Sequence, residues 1–239
     1  MTDRLRRSQY LAAMDIQEWV SRAAARGRAA PASAGDSRPA DDATGGPPAG
    51  DAMALDWEAL QQRVAGCTAC DLHRTRTQTV FGVGNRRASW MFIGEAPGAD
   101  EDRQGEPFVG RAGQLLNLML QAIGLKREEV YIANILKCRP PNNRDPRPEE
   151  VACCEPFLMR QVQLIQPRIM LALGRIAAHN LLKTDIPLAR LRGRVHRYGE
   201  MGIPLVVTYH PAYLLRTPLD ERKAWEDLLF ARQIAQGGG

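Results

Sequence analysis

The sequence predicts an α/β chain of three layers, α/β/α, in which helices cover both faces of a central, mostly parallel sheet. Two observations predict it. From residue 51 onward, strand-like runs alternate with helix-like ones, the pattern of a sheet built through helical crossovers. The run 169–173 (Ile-Met-Leu-Ala-Leu) also lacks polar alternation, as expected of a strand buried on both faces.

Each element has its own signature. Residues 57–65 read as a helix ended by Gly66, and the apolar strand 90–93 stops at Gly94. Residues 112–123 form an amphipathic helix through Leu115, Leu116, Leu118, Met119 and Leu120, closed by Gly124. A second strand covers 130–136. Helix 149–165 is introduced by Pro146 and Pro148 and followed by Pro167. After strand 169–173 come helix 176–182, a strand pair at 195–198 and 205–208, and a closing helix at 221–236. No internal repeat appears.

Upstream, residues 1–23 read as an N-terminal helix with Leu11, Met14, Ile16, Trp19 and Val20 at roughly helical spacing. Residues 24–54 read as a flexible linker. Of the 27 residues from 24 to 50, 18 are Ala, Gly or Pro, too little apolar surface to offset the entropy of ordering. The remaining domain spans 55–236. The helix beyond the linker is a candidate for docking a protein partner.

The chain has 239 residues, 44% of them hydrophobic and 25% charged, a globular composition. No apolar run is long enough for a membrane span, and no uninterrupted apolar stretch makes a secretory leader, so a cytoplasmic location is expected. The net charge of +5 fits a polyanionic partner. In a reducing compartment the five cysteines are not expected to form disulfides, leaving metal, cluster, catalysis or burial.

Ligands of open α/β sheets bind beyond the carboxyl ends of the strands. After the first strand comes Gly94-Glu95-Ala96-Pro97-Gly98-Ala99-Asp100-Glu101-Asp102, then Gly105-Glu106-Pro107-Phe108. Glycines that admit a ligand stand here beside carboxylates and an isolated aromatic. The spacing is not that of a phosphate loop, and its acidity would repel phosphate. In the second strand Asn134 is out of character, and its amide offers the donor and acceptor that a base edge needs. After the last strand, His210 is held by Pro211, and Leu214 and Leu215 precede Arg216: an apolar wedge beside a cation, as used to unstack a duplex.

Cys67 and Cys70 are one pair at ligand spacing, Cys138 is single, and Cys153 and Cys154 are neighbours. Four of them, with one of the last two spare, would complete a thiolate set for zinc or an iron–sulfur cluster, and the spacing does not name the metal. Around them stand His73, Arg74, Arg76, Arg139, Arg144 and Arg147, cations suited to a phosphate backbone.

With these loops together, the sequence resembles the family 4 uracil-DNA glycosylases, the iron–sulfur branch of their superfamily. The matching stretches are GEAPGADEDRQGEPFVGRAGQLL at 94–116, YIANILKCRPP at 131–141 and HPAYLLR at 210–216, within a likeness covering about 55–236. The resemblance implies a four-stranded sheet and a 4Fe–4S cluster on Cys67, Cys70, Cys138 and Cys154. Cys154 is preferred over Cys153 because the family's last ligand precedes a stretch like Glu155-Pro156-Phe157-Leu158. It implies uracil-containing DNA as substrate, flipped into a pocket of Ala96, Pro97, Gly98, Phe108, Asn134 and His210. Phe108 would stack on the base, Asn134 would read O4 and N3–H, and His210 would donate to O2. Glu95 is the first choice, and Glu101 the second, to stabilise the sugar cation or position water. Leu214 or Leu215 would fill the gap left by the base, with Arg216 and Arg139 on phosphate. Residues 138–148 hold no histidine, unlike the crosslinking relatives, which favours hydrolysis. No lysine in these motifs is placed as an amine nucleophile, so a monofunctional, monomeric enzyme is expected. The rival readings are a DNA-binding module without catalysis and a zinc-stabilised nucleoside hydrolase.

Overall fold

The structure, a computed structural model, describes residues 49–237. The expected helix at 1–23 and most of the expected linker lie outside the described residues. No helix among the described residues is long and apolar enough to cross a membrane.

Six strands form one sheet: β1 (Val83–Gly84), β2 (Trp90–Gly94), β3 (Tyr131–Asn134), β4 (Ile169–Leu173), β5 (His196–Tyr198) and β6 (Ile203–Thr208), in the order β1-β3-β2-β4-β6-β5. The four inner strands are parallel, with Ile93 opposite Ala133 and Ala172, and Leu171 opposite Val206. Both edges are antiparallel additions, β1 on β3 and β5 on β6. The expected mostly parallel, four-stranded sheet is therefore the centre of a wider, six-stranded mixed sheet. β1 escaped the sequence reading because a two-residue strand has no periodicity to see.

The helices are α1 (Trp57–Ala65), α2 (Ala99–Gln104), α3 (Arg111–Ala122), α4 (Pro148–Ile165), α5 (Arg175–Leu182), α6 (Leu188–Leu191), α7 (Pro211–Leu214) and α8 (Glu221–Gly237). Alternate strand residues feed two separate cores, which makes the three layers. Met91, Ile93, Met170, Ala172, Leu205 and Val207 face the core closed by α1, α4 and α5. Trp90, Phe92, Ile169, Leu171, Leu173 and Val206 face the core closed by α3 and α8.

Two local stops matter for the site. The chain runs from β2 through α3 to β3 on one side, then returns through α4 to β4 on the other. The strand order thus reverses beside β2, where the carboxyl ends of β2 and β4 open a crevice. In addition, the loop after β2 contains α2. Glu101 caps it from inside: its Oε2 accepts the Gly98 N–H at 3.1 Å.

Candidate active site and cysteine pocket

A cleft at the carboxyl ends of the inner strands gathers residues from four loops. Glu95 and Phe108 come from after β2, Asn134 from the end of β3, Arg175 from after β4 and His210 from after β6. Glycines set how close these groups come. A Cβ on Gly94 would stand 2.4 Å from Asn134 Oδ1 and 2.7 Å from Phe108 Cζ, so only glycine lets the amide and the ring lie together. Gly174 (φ +90°) similarly leaves room for His210, whose Cβ is 2.8 Å from where a Gly174 Cβ would sit.

Phe108 is buried, with its backbone in the left-handed region at φ 56°. That conformation costs on the order of 1–3 kcal/mol for a non-glycine residue and persists only where its surroundings hold it. Here two clamps do so. Glu101 Oε1 accepts the Val109 and Gly110 N–H groups, and Arg127 donates to the Pro107 carbonyl at 2.6 Å. The ring lies 5.4 Å from the His210 imidazole, tilted by 30°.

Asn134 is 2% exposed, and its Oδ1 is buried without a hydrogen-bond partner. Such an acceptor costs about 1–3 kcal/mol unless something donates to it. The His210 Nδ1 accepts the Ala212 N–H at 3.1 Å, which leaves the proton of a neutral ring on Nε2. Burial, with Arg216 nearby, holds the His210 pKa down to about 4, so the ring is a neutral donor at ordinary pH. Glu95 is half-buried; burial first, then Asp145, push its pKa up to about 7, against the opposing pull of Arg175.

The structure thus divides the two candidate carboxylates. Glu95 enters the cleft as a titrating group. Glu101 also borders it, but three backbone N–H groups occupy its oxygens, which makes it a clamp on the loop. The two leucines separate as well. Leu214 is 1% exposed in the core beneath α3 and α8 and cannot serve as a wedge, whereas Leu215 is 38% exposed beside Arg216. Ala96, Pro97, Gly98 and Arg216 line the cleft. Arg139 donates to Asn143 Oδ1 at 2.7 Å, and it is Asn143 that borders the cleft.

The five cysteines line a second pocket, between α1, α4 and the segment after β3. Cys138 Sγ accepts from Arg76 Nη1 at 3.1 Å and Cys154 Sγ from the Lys137 N–H at 3.2 Å. The Cys153 thiol donates to the Ala69 carbonyl at 3.2 Å. Burial pushes the Cys70 thiol up to about 11 and Cys154 up to about 12. Burial therefore disfavours the thiolate form of both. Among the described residues no three His, Cys, Asp or Glu side chains are gathered around a single metal-ion position.

The model of the uracil DNA glycosylase superfamily matches residues 81–229. A type-4 uracil-DNA glycosylase of Archaeoglobus fulgidus is 50% identical over 165 residues, 66% of this chain and 83% of that protein. One of Thermotoga maritima is 43% identical over 187 residues, 76% of this chain and 96% of that protein. This chain belongs to the type-4 uracil-DNA glycosylase family. A type-5 uracil-DNA glycosylase of Pyrobaculum aerophilum is more distant, 31% identical over 150 residues, 55% of this chain and 64% of that protein.

In this family member the superfamily match spans every strand of the sheet and the whole cleft, and it begins beyond Cys67 and Cys70. The cleft also contains residues that the sequence reading passed over. Arg175 donates to Asp145 Oδ2 at 2.7 Å, and the pair borders the cleft beside Glu95. The strand-end rule, applied after 173 as it was after 93 and 208, finds Gly174 and Arg175. Asp145 has no comparable mark, since it meets Arg175 only through the fold. Tyr209 and Tyr213, stacked at 5.0 Å, complete the wall near His210.

Proposed function

We propose that this protein hydrolyses the N-glycosidic bond of uracil in DNA after flipping the base, releasing uracil and leaving an abasic site. The observation that carries the reading is the orphaned Asn134 Oδ1, buried close to the Phe108 ring, which itself lies 5.4 Å from the neutral His210. An acceptor awaiting a donor beside a stacking surface suits uracil N3–H. Cytosine has no proton at that nitrogen, so the asparagine would be left unpaired. The type-4 relatives, named as uracil-DNA glycosylases, support the same substrate.

In this reading the flipped base stacks on Phe108 and is read by Asn134. His210, its Nδ1 occupied by Ala212 N–H, donates from Nε2 to the uracil O2 as negative charge develops there. Glu95, once ionised, faces the sugar, where it stabilises positive charge or orients the attacking water. Leu215 fills the space left in the stack, with Arg216 on the phosphate backbone.

Cys67, Cys70, Cys138 and Cys154 would hold the 4Fe–4S cluster. The donor set fits: the four sulfurs line one pocket, two accept N–H groups, and Cys153 is committed to a carbonyl. When bound, the cluster supplies the positive charge that buried thiolates require and joins three chain segments. Incubating the iron-containing protein with a uracil oligonucleotide, followed by alkali, tests the function. Cleavage at the uracil position is expected, and its absence on both single and double strands would refute it.

A further inference from the structure

Among the buried charged side chains with no part in this mechanism is a lysine. Lys137 is 1% exposed, among the largest fully buried side chains of the protein. Its Nζ donates to the Asn134 backbone carbonyl at 3.1 Å and to Gln161 Oε1 at 2.7 Å. Gln161, itself fully buried, spends its Nε2 on the Phe81 carbonyl at 2.9 Å and the Tyr131 hydroxyl at 3.1 Å. At the other end of the residue, the Lys137 N–H donates to Cys154 Sγ at 3.2 Å, and its carbonyl accepts the Val80 N–H at 2.8 Å. One residue therefore touches both the base-facing asparagine and a sulfur of the cysteine pocket.

Burying a lysine is expensive, and an unbranched apolar side chain would fill the same space without that cost. The geometry points to Lys137 as a positioning residue for base recognition: it fixes the Asn134 carbonyl, and hence the aim of the Asn134 amide, relative to the cysteine pocket. This rests on the reading of Asn134 as the group that meets uracil. The amide cannot aim itself, because its Oδ1 has no protein partner. Its direction is set by the backbone at the end of β3 and by the Gly94–Phe108 wall. The same segment anchors the other catalytic loop, since the Ile135 and Leu136 N–H groups donate to the Gly94 and Glu95 carbonyls, both at 3.0 Å. A shift of Lys137 would misplace the Asn134 amide, and misplacement by a fraction of an ångström is costly in a preorganised site.

A double-mutant cycle separates positioning from bulk stability. Wild type, Lys137→Met, Asn134→Ala and the double variant, all iron-loaded, are compared by single-turnover release of uracil from a single-stranded oligonucleotide. Iron content and melting temperature are measured for each. Lys137→Met is expected to slow release about tenfold alone and less than about twofold in the Asn134→Ala background, because coupled residues are not additive. The same penalty in both backgrounds would overturn the proposal. If Lys137→Met loses iron, Lys137→Leu, which likewise removes the donor, replaces it in the cycle. Loss of iron in both variants would assign Lys137 to holding the cysteine pocket and would equally overturn it. An inactive wild type would sink the underlying function; an active one with additive penalties sinks this inference alone.

Discussion

Glu101 Oε1 accepts the Val109 N–H at 3.1 Å, so a carboxylate of α2 holds the turn that presents Phe108 in its left-handed conformation. Glu101→Ala should therefore destabilise the protein by roughly 1–3 kcal/mol, the cost of stranding three partly buried donors. Activity should fall with it, and Glu101→Gln, which keeps an acceptor, should recover much of both. Chemical denaturation beside single-turnover rates checks this. An unchanged denaturation midpoint with abolished activity would mean that Glu101 acts on the substrate itself.

Glu95 predicts the pH profile. Its pKa is pushed up to about 7, and the mechanism needs the ionised form, so the rate should rise with pH through about 7. His210, held down to about 4, stays neutral over that range and adds no second limb. Because Asp145 helps to raise Glu95, Asp145→Asn should move the midpoint to lower pH. A flat profile would remove Glu95 from the chemistry.

The same shift has a stability side. A carboxyl raised from 4.5 to about 7 in the fold contributes stability that is full below about 4.5 and lost as pH rises through 7. Glu95→Gln should therefore unfold at higher temperature than wild type at alkaline pH, with little difference near pH 4. Calorimetry at the two pH values checks the sign.

Much of this was legible in the sequence, for identifiable reasons. The inner strands and long helices announce themselves because their apolar residues recur with the period of the element that buries them. Asn134 and His210 were visible as polar residues out of character at strand ends. Glu95 and Glu101 could not be separated, because what distinguishes them is which backbone N–H groups lie within 3.3 Å, and those belong to residues 98, 109 and 110. The Asp145–Arg175 pair was invisible for the same reason, with partners 30 positions apart. Leu214 and Leu215 look alike in sequence, and only the seating of α7 on the core buries one and exposes the other.

Asn134→Asp tests base reading. It replaces the amide donor with a second acceptor, so uracil release should fall roughly ten- to a hundredfold and the preference over cytosine should narrow. Paired assays on uracil and cytosine oligonucleotides read both, and an unchanged preference would rule out Asn134 as the reader.

The leucines give opposite signatures. Leu214→Ala should cost about 2–5 kcal/mol of stability, as removal of a buried side chain does. Leu215→Ala should leave the melting temperature nearly unchanged and slow release from duplex more than from single strands. Equal slowing on both substrates would argue against a wedge.

Cys154→Ser should lose iron and visible absorbance, whereas Cys153→Ser should keep both, because its thiol is committed to the Ala69 carbonyl. Iron analysis of the purified variants decides, and the reverse result would exchange the two ligands.

The sheet's edges have a consequence for how copies of the chain meet. β1 is two residues long and β5 three, against six in β6, and each runs antiparallel to its neighbour. An edge that short presents few unpaired peptide groups as a template for another polypeptide. The interior strands, apolar on both faces and the most dangerous segments to leave open, are thus shielded at each margin by a strand too brief to propagate pairing.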